Sequence, residues 1–349
     1  MTIKRLVLGL LTALLLAQSS AAPFAATSYR GLAHPYAFSL AGWEARALAA
    51  EAWERLAHIF SPYPADEAGL VLSYFNSPGQ NFTPVEAALE AAVARVLHQE
   101  GVGGFPPVAF RFGFPPKLLI ISPRERIERI RTVLLQPDLD IGRAEALEGR
   151  VEAAKGVSAL VEGLGGLATY PSLVPPGYGL RDTVNAIAHE WMHHYFFFRP
   201  LGRAYGRDSQ MTTLNETAAS IAGNEVAARV LRSFGVEPVR PVEDDETPFD
   251  RELRAIRREV DRLLGEGRVG EAEAFMETSQ LRLAGMGYGI RRLNQAYFAF
   301  YGTYALNPQS TSPIGEELEQ LRRRASSLGE FIRLVAGVSS YRELQHMAY

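Results

Sequence analysis

The chain has 349 residues, with 36 lysines and arginines against 39 aspartates and glutamates, seven histidines and no cysteine. No disulfide can brace it, so a hydrophobic core must, and any metal site has to use His, Asp or Glu. A formal net charge of −3 argues against nucleic acid as a partner, because phosphate binding needs a concentrated positive face.

Lys4 and Arg5 precede an apolar run from Leu6 to Ala17, which gives way to Gln18-Ser19-Ser20-Ala21-Ala22. Basic, apolar and small-residue regions in that order describe a secretory signal peptide over 1–22. The alternative is an uncleaved N-terminal anchor, which would be the one route to membrane attachment. Either way the expected location is extracytoplasmic: periplasm, cell envelope or exterior. Without that segment the balance is 34 basic against 39 acidic residues, a net of −5. The roughly 320 residues that follow suffice for one large domain or two ordinary ones.

Helical spacing of apolar residues predicts helices over 40–59 and 84–100. Val108 to Phe112 and Leu118 to Ile121 read as short strands framed by proline pairs. Helices are expected over 124–135 and over 141–155, the second capped by Asp140. Residues 157–174 read as one or two strands with glycines permitting a turn. After an acidic loop over 236–250 come a charged helical hairpin (249–264 and 269–283), an aromatic-rich helix over 288–306, and two or three short helices over 313–348. The expected class is α+β, mostly helical, with a small sheet in the N-terminal half. Residues 27–235 would form the N-terminal and metal-binding catalytic region, and 236–349 a helical region completing the cleft.

Within this frame lies His189-Glu190-Trp191-Met192-His193, an H-E-x-x-H segment. On a helix, i and i+4 share a face, so His189 and His193 can present both imidazoles to one metal ion. Glu190 is one residue round from the first ligand, where it can reach water beside the metal without binding the metal itself. Asp182 or Thr183 is the expected cap, and Val184, Ile187, Ala188, Trp191, Met192 and Tyr195 supply an apolar surface. His194 should point about 100° away from the ligands.

A catalytic metal needs a third protein ligand. The segment 214–225 offers Glu216 and Glu225, about 180° apart on one helix. Only one can face the metal. Glu216 is the expected ligand, in the first turn of a helix opened by Thr212 or Thr213, with Ser220 and Gly223 on its face allowing two helices to approach closely.

His189-Glu190-x-x-His193 followed 22 residues later by Asn215-Glu216 resembles the gluzincin zinc metallopeptidases, and Asn-Glu-x-x-Ala resembles the form found in thermolysin-like and bacterial aminopeptidase-like members. The resemblance spans about 165–305 and is specific in the two helices only. It implies a zincin-like core and Zn2+ held by His189, His193 and Glu216. It also implies hydrolysis of a peptide or protein substrate by metal-activated water, with Glu190 as general base. Where thermolysin-like members carry an aspartate four residues after the glutamate ligand, this chain has Ser220, which brings no charge to the histidine it faces. Gluzincins commonly stabilise the oxyanion with a downstream tyrosine or histidine. Here Asn294, Tyr297, Tyr301 and Tyr304 recur at spacings 3, 4, 3, and Tyr297 and Tyr301 are the expected donors. Gly166 to Tyr170 lies where the family places the strand that pairs with an extended peptide. The competing readings are a non-catalytic envelope binding protein with a structural or vestigial zinc site, and a zinc amidohydrolase acting on non-peptide amides.

Overall fold

The computed structural model describes residues 28–43, 66–77, 79, 81–238 and 247–348. The expected signal segment, most of the expected helix over 40–59 and the middle of the acidic loop lie outside them. Among the described residues the architecture is α+β and mostly helical, with 59% helix and 9% strand. No described helix is long and apolar enough to cross a membrane.

The chain runs α1 (Tyr29–Ala33), α2 (Glu67–Asn76), α3 (Thr83–Gln99), β1 (Phe110–Phe112), β2 (Lys117–Ser122), β3 (Arg131–Leu135), α4 (Ile141–Lys155), β4 (Ser158–Gly163) and β5 (Ser172–Val174). It continues with α5 (Leu180–Phe197), α6 (Pro200–Arg203), α7 (Ser209–Ser233), α8 (Pro248–Gly265), α9 (Val269–Gly285), α10 (Gln295–Tyr301), α11 (Ile314–Arg324), α12 (Leu328–Ala336) and α13 (Tyr341–Ala348).

β2 is the centre of an antiparallel sheet in the order β3-β2-β4, with Leu119 opposite Val133 and Val161. Its apolar run is buried on both faces, as side chains alternate across a strand. Leu118 and Ile120 pack with α8, α9 and α10, whereas Leu119 and Ile121 pack with α1 and α4. A strand apolar on both faces needs partners on both edges, and this corrects the expected helix over 124–135. Residues 131–135 pair with β2, and the segment before them is a loop tied by the Ser122 hydroxyl, which accepts the Glu128 N–H at 3.2 Å. Pairing with a distant strand overrides the local helical spacing.

A second, parallel pair joins β1 to β5, Phe110 opposite Ser172. On the outer side of β1 the N–H groups of Phe110 and Phe112 donate to Glu90 (2.8 Å) and Glu86 (2.6 Å) of α3. Arg111 lies 3.5–3.6 Å from the same two carboxylates.

The largest core surrounds α5 and α7. Val184, Ile187, Ala188, Trp191 and Met192 meet Leu214, Ala218, Ala219, Ala222 and Val226 there, with α3 and α11 to α13 packed around them. The C-terminal region thus divides: α11 to α13 join the core of the histidine helix, whereas α8 to α10 cover the sheet. Small residues set the distance between α5 and α7. A Cβ on Gly223 would lie 3.2 Å from the His189 backbone nitrogen, so a larger side chain would push the two helices apart.

Candidate metal centre

α5 begins one turn earlier than its expected cap, at Leu180 after Gly179. α7 likewise begins at Ser209, where Asp208 accepts the Met211 N–H at 2.8 Å, so Glu216 sits inside the helix and not in its first turn. The extra length leaves the facing registers unchanged. His189 Nε2 and His193 Nε2 lie 3.0 Å apart, and Glu216 Oε2 is 3.5 and 3.4 Å from them. Bonds of about 2.0–2.1 Å to a tetrahedral ion place neighbouring donors about 3.3 Å apart. The three atoms therefore match one face of such a tetrahedron, and the group could hold a metal ion. Glu225, the competing carboxylate, pairs instead with Arg322 of α11 at 2.5 and 2.9 Å.

Each donor is oriented from behind. His193 Nδ1 is 2.8 Å from Asn215 Oδ1. That oxygen can only accept, so Nδ1 carries a proton and Nε2 is the nitrogen left to give its lone pair to a metal. His189 Nδ1 faces Ser220 Oγ at a long 3.5 Å, while the Ser220 hydroxyl donates to the Glu216 carbonyl at 2.9 Å. The serine is thus a weaker support than the asparagine. Glu216 Oε1 accepts from the Tyr205 hydroxyl at 2.7 Å.

Charge is concentrated here. Burial works to raise the Glu216 carboxyl, but the two imidazoles outweigh it and hold the group well below the usual carboxylate range. Burial likewise works to lower His193, yet attraction and hydrogen bonding to Glu216, with help from Glu190 and Asn215, raise it to about 9. Glu190 is raised, first by burial and further by Glu216, against the opposing pull of both imidazoles. Its carboxylate rests on the backbone of Gly166, where a Cβ would overlap its Oε1. The resemblance implied a substrate-pairing strand over Gly166 to Tyr170, but this segment is a loop with a single bridge from Leu167 to Leu173, and Gly166 is the floor beneath Glu190.

The aromatic helix is shorter than its spacing predicted. α10 starts at Gln295 because Asn294 caps it, accepting the Tyr297 N–H at 2.9 Å and donating to the Ala159 carbonyl of β4 at 2.9 Å. The expected donors Tyr297 and Tyr301 are not brought to the histidines. The Tyr297 hydroxyl accepts from Gln309 at 3.1 Å, and Tyr301 lies against it, 4.7 Å between ring centroids, its hydroxyl proton held more tightly than usual by burial and then by Glu162. Tyr304 arrives instead, because the helix ends at Tyr301 and the following turn carries it off that face. The Ala305 N–H donates to Thr217 Oγ1 at 2.9 Å, pinning this turn beside Glu216. The Tyr304 ring lies 6.2 Å from that of His189, and Glu216 and then burial hold its hydroxyl proton far more tightly than usual.

Three more participants had no sequence signal. Tyr205 follows α6, its ring 6.2 Å from that of His193. Arg129, from the β2–β3 loop, works against burial and Glu216, which raise the Tyr205 hydroxyl. Tyr178 lies just before α5, and burial, then the charges of Asp182 and Glu190, raise its hydroxyl. His194 is buried edge-on to Tyr170, 5.5 Å between centroids, and burial lowers it to about 4, so it is neutral and turned away from the metal group.

No protein-family model matches the sequence, and comparison with curated proteins and with solved structures yields no similar chain. The chemistry of the site therefore has to be read from its own residues.

Proposed function

We propose that the protein is an exported zinc-dependent peptidase of gluzincin type. The observation that carries this reading is the convergence of His189, His193 and Glu216 within hydrogen-bonding distances of one another, with a separate carboxylate, Glu190, beside them. Nitrogen and oxygen donors without thiolate, three in number and supported from behind, suit a catalytic zinc that keeps a coordination position open. Bound at these donors, zinc would supply Lewis acidity, polarising a substrate carbonyl and acidifying water.

The chain's own residues do the rest. Glu190 takes a proton from the attacking water and passes it to the departing amine. Its raised proton affinity helps it hold the proton between the two transfers. Tyr304 keeps its proton through the working range and can donate a hydrogen bond to the oxygen that gains charge at the scissile carbon. Gly166 holds Glu190 in place.

The test is metal analysis of the purified protein beside Glu190→Gln, with a mixed peptide library as substrate. One zinc per chain in both proteins with hydrolysis only by the wild type supports the peptidase. Zinc in both with no hydrolysis favours the binding protein, and no zinc in either removes both readings.

A further inference from the structure

Thr217 follows Glu216 directly on α7 and is only 1% exposed. Alanines stand near it at 218, 219 and 222, and alanine is the better helix former. What threonine adds here is a hydroxyl. Its Oγ1 accepts the Ala305 N–H at 2.9 Å, from a segment 88 residues further along the chain. The residue just before Ala305 is Tyr304.

These two residues lie in a turn that crosses between two cores. Phe298 and Phe300 of α10 belong to the cluster over the sheet, whereas Ala305 belongs to the one around the histidine helix. The crossing is held at several points. Gly302 closes α10, its N–H donating to the Phe298 carbonyl at 2.9 Å, and a Cβ there would lie 2.5 Å from that oxygen. Arg257 of α8 donates to the Gln309 carbonyl at 2.6 Å, and the Asn307 N–H to the Tyr304 carbonyl at 2.9 Å. A Cβ on Gly315 of α11 would come within 3.0 Å of the Ala305 carbonyl oxygen. Ala305 is therefore gripped by α7 at its N–H and pressed by α11 at its carbonyl. The half-buried ring of Tyr304 then lies 6.2 Å from that of His189, tilted by 42°. Because Glu216 and Thr217 are neighbours on one helix, the metal ligand and the anchor of the tyrosine belong to the same rigid element.

We propose that Thr217 is a positioning residue, whose hydroxyl sets Tyr304 against the metal group where it can meet the oxygen that gains charge. For its chemistry this inference rests on the peptidase reading above. Its geometry rests on the Thr217–Ala305 bond. The scale follows from what a donor is worth: losing one costs about 100- to 1000-fold in rate, and a misplacement of about 1 Å can cost about 100-fold.

The test compares Thr217→Val, which keeps the shape and removes the acceptor, with Thr217→Ser, which keeps the acceptor. Thr217→Ala carries the same expectation should the valine protein not fold. The first readout is 19F NMR with Tyr304 labelled as 3-fluorotyrosine, in metal-free and zinc-loaded protein. Wild type and Thr217→Ser should share one resonance, and Thr217→Val should shift or split it. An unchanged resonance in Thr217→Val overturns the proposal, whether or not the protein hydrolyses peptides. The second readout is steady-state kinetics with zinc. Thr217→Val should lower kcat by about 10- to 100-fold, with KM and zinc affinity within about twofold, and Thr217→Ser should restore most of it. In a Tyr304→Phe background Thr217→Val should cost nothing more, since the two residues act as one unit. Independent, multiplying losses would mean that the threonine serves the helix alone, and would overturn the proposal. The expected resonances in a protein that hydrolyses nothing would sink the peptidase reading and leave Thr217 as the anchor of Tyr304.

Discussion

The Tyr205 hydroxyl donates to one oxygen of Glu216 at 2.7 Å while the other oxygen faces both imidazoles at 3.4 and 3.5 Å. In the proposed metal site the tyrosine would leave Glu216 one oxygen for the ion and fix which oxygen that is. Tyr205→Phe should still fold and bind zinc, but with affinity reduced about 10- to 100-fold, as when other groups behind metal ligands are removed. Competition against a calibrated chelator measures this. Unchanged affinity would show that Glu216 needs no such support.

Gly166→Ala tests the floor beneath Glu190. The added methyl would overlap the carboxylate, so Glu190 has to rotate away while the three ligands stay in place. Zinc content should match the wild type, and hydrolysis should fall by about 100-fold, the scale of losing a positioned general base. Loss of zinc and activity together would mean that the glycine supports the ligands instead.

Metal removal should make stability depend on pH. In the metal-free protein His193 is raised to about 9 from an ordinary 6.5, so the folded state holds this proton more tightly than the unfolded one. That stabilisation is complete below pH 6.5 and is lost as pH rises through 9, with an upper limit of about 3 kcal/mol. Melting temperature of the metal-free protein should fall between pH 6.5 and 9. With zinc bound, His193 stays deprotonated and this slope should vanish. Parallel profiles for the two forms would refute the assignment.

Glu148 has no exposed side-chain surface and accepts from the Val161 N–H, from Arg291 (2.6 and 3.0 Å) and from Arg292 (3.0 Å). It joins α4, β4 and the segment leading into α10. Glu148→Ala would leave the Val161 N–H buried without its partner and weaken the hold on Arg291 and Arg292, which keep the Val161 carbonyl and Glu152 respectively, at about 1–3 kcal/mol. Urea denaturation should register that loss with zinc uptake unchanged in the fraction still folded. A loss under 1 kcal/mol would mean that water replaces the carboxylate.

The part of the site written into a single helix was legible. His189, Glu190 and His193 depend only on the 3.6-residue repeat; the angle between Glu216 and Glu225 left one of them to face the metal, and the small residues on the face of Glu216 favoured it. The participants from elsewhere were not legible, because their positions depend on chain reversals that no local spacing encodes. Arg129 comes from a loop read as helix, and Tyr205 from a turn after α6. Tyr304 shared the expected spacing with Tyr297 and Tyr301, but the helix stops before reaching it. The strand β3 was missed for the same reason: what makes 131–135 extended is the second edge of β2, not its own composition. Helices with strong local patterns, such as α4 and the α8–α9 hairpin, were foreseen almost to the residue.

The carboxylates of Glu86 and Glu90 have one more effect. By occupying the outward N–H groups of β1, they finish the short parallel ribbon with side chains borrowed from a helix. Exposed sheet borders are where one protein molecule templates onto the next. This border has no free donors at Phe110 or Phe112, and two acidic groups bridged by Arg111 stand in front of it. Self-association by strand addition is blocked on that flank, and a protein without disulfides is spared one common path to aggregation.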